Sequence, residues 1–310
     1  MRIAVAGATG CVGSRLVPRL LDAGHTVTAL VRDASAPRSA SLVSAPDVRV
    51  VEGDLLTPAG VDECCRDADI GVYLVHSLGS GPDYADRDRR AATAFARAAS
   101  TADITRIVYL GGLGDVDGNG DDHLHSRRAV EAVLGADRYE HQLTTIRAGV
   151  VIGSNSLSFQ LMRQCAARVP VAPVPPAINT PCQPIAVRDV VQYLTAVIDT
   201  ETTAEVIEVG APHARPYAEL LRVVADALQT RFTVHIVPRM PLPAAALGLA
   251  AVTDVPYKTV SPLVESLSTP AVVSDPKPAT ALGVDPVRFE TAVHEVLRPT
   301  ETPMTPKAEL

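Results

Sequence analysis

The sequence predicts an α/β fold with a doubly wound parallel sheet and a smaller C-terminal lobe. Short apolar runs alternate with helix-forming stretches up to residue 153, as five strand–helix units leading into a sixth strand. Beyond residue 153 the alternation weakens and proline becomes frequent. We therefore expect a nucleotide-binding core at residues 1–153, the remaining sheet strands with a substrate lobe at 154–300, and a flexible tail at 301–310.

The first unit places a glycine-rich turn between a strand and a helix. The strand is predicted at residues 2–6, the turn reads Gly7-Ala-Thr-Gly10-Cys-Val-Gly13, and a second strand follows at Thr26–Val31. Gly7 permits the tight turn, Gly10 allows close approach of a pyrophosphate, and Gly13 lets the helix pack against the strand. The first N–H groups of the helix then face the phosphates. The turn predicts a dinucleotide site; an ordinary βα turn with incidental glycines is the alternative.

Four further strands are predicted, and each ends in residues that can contact a ligand. They are placed at Val48–Glu52, Ile70–Val75, Ile104–Leu110 and Leu143–Val151, with helices starting at Thr57, Asp83 and His123 between them. In an open parallel sheet the ligand binds at the carboxyl ends of the strands, near the switch point. The site is therefore expected at Gly7–Gly13, Arg32, Asp54, His76-Ser77, Gly111–Gly114 and Gly149–Gly153. The charged run Asp86–Arg90 is interpreted as a solvated helix face.

The C-terminal part is predicted to combine the last sheet elements with a lobe that covers the cleft. Val169–Pro184 holds six prolines and is interpreted as an irregular crossover. Helices are predicted at Val187–Ile198, Tyr217–Leu228, Pro241–Val252 and Pro286–Leu297, with strands at Val206–Val209 and Phe232–Val237. The apolar residues of this part suit a small-molecule pocket.

Composition argues against several classes of protein. The net charge of −7 and the lack of a basic stripe argue against nucleic acid, and no apolar run reaches the roughly 18 residues of a membrane span. The first strand starts at residue 2, which leaves no room for a signal peptide, so we expect a cytoplasmic protein without membrane contact. The five cysteines show no metal or redox spacing, and no metal is expected. The expected partner is a small-molecule substrate, and a homodimer is left open.

Six short motifs distributed over roughly residues 1–235 resemble one known superfamily. They are Gly7-x-x-Gly10-x-x-Gly13, Gly53-Asp54, Val108-Tyr-Leu-Gly-Gly112, Ile146-Arg-Ala-Gly149, Pro184-Ile-Ala-Val-Arg-Asp189 and Glu208-Val-Gly210. Together they resemble the atypical short-chain dehydrogenases/reductases, a Rossmann-fold branch that includes NmrA-like proteins. The resemblance implies that Asp54 holds the adenine edge, that the Arg147 strand lies beside the nicotinamide, and that the segment near Asp189 supports the substrate lobe.

The resemblance fails at the catalytic residues. Members of the superfamily use Tyr-x-x-Ser-Lys at the start of a helix, with a glutamate four residues after the lysine. The corresponding stretch here reads His123-Leu-His-Ser126-Arg127, and Glu131 follows four residues after Arg127. His123 therefore takes the tyrosine position and Arg127 the lysine position. No lysine can be recruited from elsewhere in the predicted sheet domain, since the only lysines are Lys258, Lys277 and Lys307.

Four residues are candidates for catalysis. Histidine titrates near neutrality, so His123 can act as a general acid, while Arg127 can bind the ribose and supply positive charge. The alternative for His123 is a helix N-terminal residue in a polar loop with no chemical role. His76 and Ser77 follow the fourth strand and form a second candidate pair near the expected nicotinamide.

The end of the second strand predicts which cofactor is bound. An NAD enzyme would carry an acidic residue there for the ribose hydroxyl, but the sequence has Arg32. Arginine suits the 2′-phosphate of NADP(H), with Ser35 and Arg38 as further contacts and Asp33 as a counter-signal. The complete predicted cofactor set is Gly7, Thr9, Gly10, Cys11, Val12, Gly13, Arg32, Asp54, Leu55, Val75, His76, Gly111, Gly112, Arg127, Ala148 and Gly149.

Two functions fit these features. The first is an NADPH-dependent reductase that moves hydride to a small carbonyl, enone or quinone-like molecule, with backbone N–H groups near Gly111–Gly114 stabilising the product anion. The second is a regulatory or sensing protein that keeps the cofactor loop and lacks catalysis. The large and moderately apolar C-terminal lobe favours the enzyme.

Overall fold

The computed structural model describes residues 1–57, 59–77, 83–114, 122–200 and 204–298, so the predicted tail at 301–310 lies outside the described residues. The strands are β1 (Arg2–Ala6), β2 (Thr26–Val31), β3 (Val48–Glu52), β4 (Ile70–Tyr73), β5 (Arg106–Gly112), β6 (Gln142–Ala148), β7 (Val151–Ile152), β8 (Val171–Val174), β9 (Pro181–Cys182), β10 (Ile185–Ala186), β11 (Val206–Val209), β12 (Arg215–Pro216) and β13 (Thr233–Ile236). The α-helices are α1 (Gly13–Asp22), α2 (Ala40–Val43), α3 (Val61–Cys65), α4 (Tyr84–Thr101), α5 (Asp122–Leu134), α6 (Leu157–Arg168), α7 (Val187–Asp199), α8 (Tyr217–Ala227), α9 (Leu242–Val252), α10 (Tyr257–Glu265), α11 (Lys277–Ala281) and α12 (Phe289–Leu297).

A seven-stranded sheet in the order β11-β6-β5-β4-β1-β2-β3 forms the centre of the molecule, and all its neighbouring strands are parallel. The chain runs outward from β1 through β2 and β3, then crosses to β4 on the other side of β1. At this switch point Ala6 pairs with Tyr73, so the carboxyl ends of β1 and β4 lie side by side. A crevice at this position is where such sheets bind ligands. The predicted doubly wound α/β fold is confirmed.

Helices cover both faces of the sheet because its strands are apolar on both sides. Along β1, Ile3 and Val5 point into a cluster that includes residues of α1 and α7. Their neighbours Ala4 and Ala6 point into the opposite cluster, where Phe95 of α4 packs with residues of α3 and α5. This alternation along one buried strand explains why the sheet must carry a helical layer on each face.

The sixth predicted strand is wrong at its end. Instead of continuing to Val151, β6 ends at Ala148, and β7 pairs with β10 outside the main sheet. The break occurs at Gly149, where a Cβ atom would lie 1.8 Å from the carbonyl oxygen of Gln183. Only glycine allows the two backbones to approach this closely.

Other element ends differ by a few residues. The short helix predicted from Thr57 begins at Val61, after a turn in which Gly60 has a φ of +84°. The fourth strand ends at Tyr73, the fifth extends to Gly112, and the last helix begins at Phe289. These shifts leave the predicted strand order unchanged.

Beyond residue 153 the described chain contains three α-helices, α6, α10 and the short α11, that the sequence interpretation missed. Ser156 caps α6, with its Oγ accepting a hydrogen bond of 3.5 Å from the N–H of Phe159. Part of the predicted irregular crossover is the strand β8, which pairs in parallel with β13. Buried apolar residues of α6, α8 and α12 form the core of the lobe. A further cluster joins α6, α9 and α10, so the lobe has its own apolar packing beside the sheet.

No helix within the described ranges is long and apolar enough to cross a membrane. Within the same part of the chain, no group of three or more His, Cys, Asp or Glu side chains is arranged to hold a metal ion.

Candidate active site

A cavity of about 700 Å³ lies between the carboxyl edge of the sheet and the C-terminal lobe. Twelve of the residues predicted for the site line it: Gly7, Gly10, Cys11, Val12, Gly13, His76, Gly111, Gly112, His123, Arg127, Ala148 and Gly149. Six do not line it: Thr9, Arg32, Asp54, Leu55, Val75 and Ser77. The ends of β1, β5 and β6, together with α5, therefore form one wall of the cavity. Residues of α6, α8, α9 and α10 form the facing wall.

The glycine loop, residues Gly7–Gly13, is shaped by backbone contacts. Gly7 has a φ of +93°, and its carbonyl oxygen accepts a 3.0 Å hydrogen bond from the N–H of Gly10. A Cβ atom on Gly13 would lie 2.2 Å from that same oxygen. At Gly10 a Cβ atom would meet only the Gly7 oxygen, at 3.2 Å. The loop therefore needs glycine at position 13 for its own fold, while Gly10 leaves space toward the cavity.

This loop fits a dinucleotide pyrophosphate. It leads into the N-terminus of α1, whose cap residue Val12 offers no side-chain acceptor and whose first turn has no acidic residue. The first N–H groups of a helix have no acceptor within the helix and attract anions. Arg15 adds a positive charge beside them, with Nη1 2.7 Å from the carbonyl oxygen of Cys11 and Nη2 2.8 Å from Ser154 Oγ. Burial raises the pKa of the Cys11 thiol, so the loop carries no thiolate to repel a phosphate.

The end of β2 carries the residues predicted to select the cofactor. The side chain of Arg32 is exposed, and its guanidinium has no hydrogen-bond or ion-pair partner among the described residues. Asp33 is turned to its own loop, where its Oδ1 accepts hydrogen bonds from the N–H (2.9 Å) and the hydroxyl (2.6 Å) of Ser35. These bonds lower the pKa of Asp33. The carboxylate of Asp33 is therefore occupied locally, while Arg32 remains open to a ligand.

Three residues of the predicted cofactor set, Asp54, Leu55 and Val75, lie outside the lining of the cavity. Asp54 Oδ1 accepts a 2.9 Å hydrogen bond from the N–H of Leu56, and Leu55 is buried in the core. A Cβ atom on Gly7 would lie 3.2 Å from Val75, so the segment after β4 passes close to the loop.

Three side chains that can carry positive charge meet on the sheet side of the cavity. His76 comes from the segment after β4, and His123 and Arg127 come from the first turns of α5. Arg127 is only 7% exposed, and its carbonyl oxygen accepts a 3.3 Å hydrogen bond from the hydroxyl of Tyr109. The charge of the Arg127 guanidinium, partial desolvation and His123 hold the pKa of His76 well below the ordinary histidine value, although the His76 side chain is exposed at the cavity. His76 is therefore neutral near pH 7.

Asp88 is a buried carboxylate, beside the cavity residues, that the sequence interpretation missed. The run Asp86–Arg90 was expected to be solvated, which is wrong for Asp88, since this residue is only 3% exposed. Its carboxylate accepts a 2.6 Å hydrogen bond from the N–H of Ser77 and a 3.4 Å bond from the hydroxyl of Ser126. It therefore connects the segment after β4 to α5. Helical spacing gave the signal, because Asp88 shares a face with the buried Ala91, Ala92 and Phe95.

Glu131 lies at the centre of a second polar network on α5. Its carboxylate contacts Arg147 on β6 (2.7 Å) and Arg128 (3.2 Å), and Arg128 donates a 2.6 Å hydrogen bond to the carbonyl oxygen of Gly114. Burial lowers the pKa of Arg128. The network fixes α5 against the segment that follows β5.

The predicted oxyanion role of the N–H groups near Gly111–Gly114 needs one correction. The N–H of Leu113 donates a 2.9 Å hydrogen bond to the carbonyl oxygen of Ala148, so it is not available to a ligand.

Comparison with known proteins agrees with this geometry. Residues 7–148 match a family model described as NAD(P)H-binding. A ceramide reductase of Caulobacter vibrioides is 31% identical over 179 residues, which cover 56% of this chain and 53% of that protein. The uncharacterised protein YwnB of Bacillus subtilis is 29% identical over 116 residues, covering 37% of this chain and 49% of that protein. The chain thus spans about half the length of these relatives.

Solved structures extend the likeness to the whole fold. The NADPH-dependent quinone oxidoreductase QOR2 of Escherichia coli, in complex with NADPH, has a TM-score of 0.76 at 17% identity, covering 96% of this chain and 99% of that one. The dTDP-glucose 4,6-dehydratase DesIV of Streptomyces venezuelae, with NAD and TYD bound, has a TM-score of 0.72 at 16% identity, covering 96% of each chain. The glycine loop and the sheet order, like these solved structures, are those of a Rossmann fold, and residues 7–148 carry the NAD(P)H-binding match.

Proposed function

We propose that the protein is an NADPH-dependent reductase of a small carbonyl, enone or quinone-like acceptor. The observation that supports this most is that His76, His123 and Arg127 line the same cavity as the glycine loop. A cofactor with its pyrophosphate on the loop and a substrate beside these side chains would therefore share one enclosed space. In this proposal residues 1–153 bind the cofactor, and residues 154–300 contribute most of the substrate contacts.

The proposed chemistry needs a proton donor and a fixed positive charge. When bound, a reduced nicotinamide supplies a hydride to the acceptor carbon, and the acceptor oxygen then becomes negative. His123, as the imidazolium, donates its ring proton to that oxygen and becomes neutral. Arg127 cannot lose its proton under these conditions, so it stabilises the negative charge and can bind the ribose. Hydride and proton together complete a two-electron reduction.

Other residues would keep these groups in position. Asp88 joins the segment carrying His76 to α5, which carries His123 and Arg127. Glu131 joins α5 to β6 through Arg147. Since proton transfer requires donor and acceptor within hydrogen-bond reach, fixing α5 against the strand ends contributes to the reaction without direct contact with the substrate.

Two further observations support the choice of NADPH and of reduction. The open guanidinium of Arg32 at the end of β2 suits a 2′-phosphate. The ceramide reductase and the NADPH-dependent quinone oxidoreductase are both named as redox enzymes. The sequence match to the ceramide reductase spans about half of each chain, and the quinone oxidoreductase resembles this chain in fold alone.

The proposal is tested by measuring NADPH oxidation with a panel of quinones, enones and aldehydes. We expect turnover with at least one class, abolished by removing the cofactor. Tight NADPH binding without turnover on any member of the panel would overturn the proposal. A sensing or regulatory protein would then be the better interpretation, because such a protein binds the cofactor without catalysing its oxidation.

A further inference from the structure

The cavity has its charged and imidazole side chains at one end only, while the described residues at the other end are uncharged and mainly aliphatic. Its charged and imidazole side chains, His76, His123 and Arg127, all belong to the sheet side. Among the described residues from 154 onward that line it, none carries a charge. Leu161 and Met162 of α6, Leu221 of α8, Leu249 of α9 and Leu263 of α10 represent this apolar end, which we call the lobe chamber.

A dinucleotide cofactor does not account for the lobe chamber. Its phosphates and riboses are polar and require the helix N-terminus and hydrogen-bonding groups, which lie at the sheet end. Burying them among uncharged, mainly aliphatic side chains would leave polar groups without partners. The chamber must therefore serve the other occupant of the site, whose chemistry the lining determines.

We infer that the substrate is an amphiphile, with its reducible group beside His123 and Arg127 and an unbranched apolar chain in the lobe chamber. This inference rests on the proposed function and specifies its substrate class. An apolar chain gains binding free energy roughly in proportion to the area it buries, and it needs no hydrogen-bond partner in the chamber. The polar end then fixes which carbon receives the hydride.

Helix α9 makes room for such a chain. Ala244, Ala245, Gly248, Leu249 and Val252 line the cavity from one face of the helix, and three of them are small. Nothing lies within 4 Å of the position that a Cβ atom on Gly248 would occupy. The next residue back along the helix, Leu247, does not line the cavity and is 63% exposed. Both positions are exposed, but only Gly248 belongs to the lining of the cavity, so bulk added at position 248 narrows the chamber and bulk added at position 247 does not.

The first test compares two benzoquinones with the same head group, one carrying a decyl chain and one a methyl group, as substrates of the NADPH-loaded protein. We expect kcat/KM to be at least 10-fold higher for the decyl compound. Gly248→Phe should remove most of this advantage and leave turnover of the methyl compound unchanged, while the control Leu247→Phe should change neither. Equal kcat/KM for both quinones, with no effect of Gly248→Phe, would overturn the inference and leave the proposed function standing.

A binding measurement decides the inference even if neither quinone is reduced. N-phenyl-1-naphthylamine, a neutral fluorescent apolar probe, is titrated into the protein and displaced with dodecanol or butanol. We expect displacement by dodecanol at concentrations at least 10-fold below those for butanol, and weaker probe binding in Gly248→Phe than in Leu247→Phe. Absence of probe binding, or equal displacement by both alcohols, would contradict a chamber for apolar chains.

Discussion

The two ends of the cavity differ in the kind of atoms that shape them. At the sheet end, backbone forms the part of the wall around the glycine loop, where a Cβ atom on Gly13 would lie 2.2 Å from a carbonyl oxygen, and His76, His123 and Arg127 add polar side chains. At the lobe end the wall is side chains, and a Cβ atom on Gly248 would meet nothing within 4 Å. We therefore expect the sheet end to bind a ligand through backbone N–H groups and charged side chains. The lobe end should instead discriminate among ligands by the size and apolarity of the group that enters it.

This difference predicts how substitutions act. A side chain added to the backbone wall blocks a ligand that needs close approach, so the effect is close to all-or-none. A side chain added to the lobe wall changes the space left for one part of a ligand, so the effect depends on the ligand. The following substitutions test the contrast, and the largest expected effect comes first.

Gly10→Val should abolish cofactor binding while the fold persists. The added branches would project from the point where a pyrophosphate must approach the loop, and the only close atom is the Gly7 carbonyl oxygen at 3.2 Å. Calorimetry should detect no NADPH binding, while circular dichroism and the thermal midpoint stay close to the parent. The matched control Gly248→Val should bind NADPH normally. Normal NADPH affinity in Gly10→Val would mean that the nucleotide binds elsewhere.

His123→Ala should lower turnover with the acceptor by on the order of 10²-fold, the usual contribution of a general acid. NADPH affinity should be nearly unchanged, because the lost interaction belongs to the transition state. Steady-state kinetics over a pH series should also show that the decline of parent activity with rising pH disappears in the variant.

Two neighbouring variants sharpen the test of His123. His125→Ala is the control, since this exposed residue of the same helix does not line the cavity. Arg127→Ala should instead weaken NADPH binding, because its proposed partner is the ribose. If His123→Ala turns over with the parent's rate and pH profile, the proton comes from another donor.

Arg32→Ala should weaken NADPH binding by about 10-fold or more and leave NADH binding unchanged, since hydrogen bonds to charged groups contribute about 1.5–3 kcal/mol. The exposed guanidinium has no competing partner among the described residues, so its loss should not affect stability. Calorimetric titration with each nucleotide provides the measurement, and Arg19→Ala, an exposed arginine of α1, is the control. If the parent protein binds NADH as tightly as NADPH, Arg32 does not select the 2′-phosphate.

His76→Gln should produce the smallest effect, a change in how stability depends on pH. The charge of Arg127, partial desolvation and His123 keep the pKa of His76 in the folded protein below the value of about 6.5 found in unfolded chains. The unfolded chain therefore binds more protons below about pH 6.5, and the free energy of unfolding falls as the pH drops through this region.

The glutamine variant should flatten that fall without changing stability at neutral pH. Urea unfolding curves between about pH 7 and pH 5 measure the effect, on both sides of the ordinary histidine pKa. His213→Gln, at an exposed histidine that does not line the cavity, should leave the slope unchanged. An identical slope in His76→Gln and the parent would show that His76 is protonated as readily in the folded protein as in the unfolded chain.

Sequence patterns predicted the sheet half of the molecule well because its signals are local. The strands Thr26–Val31 and Val48–Glu52 are short runs rich in β-branched residues and bounded by turn residues, and the ends of both were predicted correctly. The lobe was predicted less well. Its helix α6 has a mixed composition, and α10 contains an internal proline, Pro262, so neither gives a clear periodic signal.

The amino-acid sequence by itself determined the fold class, the position of the glycine loop and the occurrence of His123 and Arg127 at the start of one helix, because backbone geometry and residue identity are local properties. Only the tertiary structure decided that His76 lines the same side of the cavity as His123 and Arg127. It decided as well that Asp88 is buried and bonded to Ser77 and Ser126. It also decided that four lobe helices enclose an apolar chamber opposite. These features depend on contacts between segments far apart in the chain, and such contacts are set by how the helices pack, which no single stretch of sequence specifies.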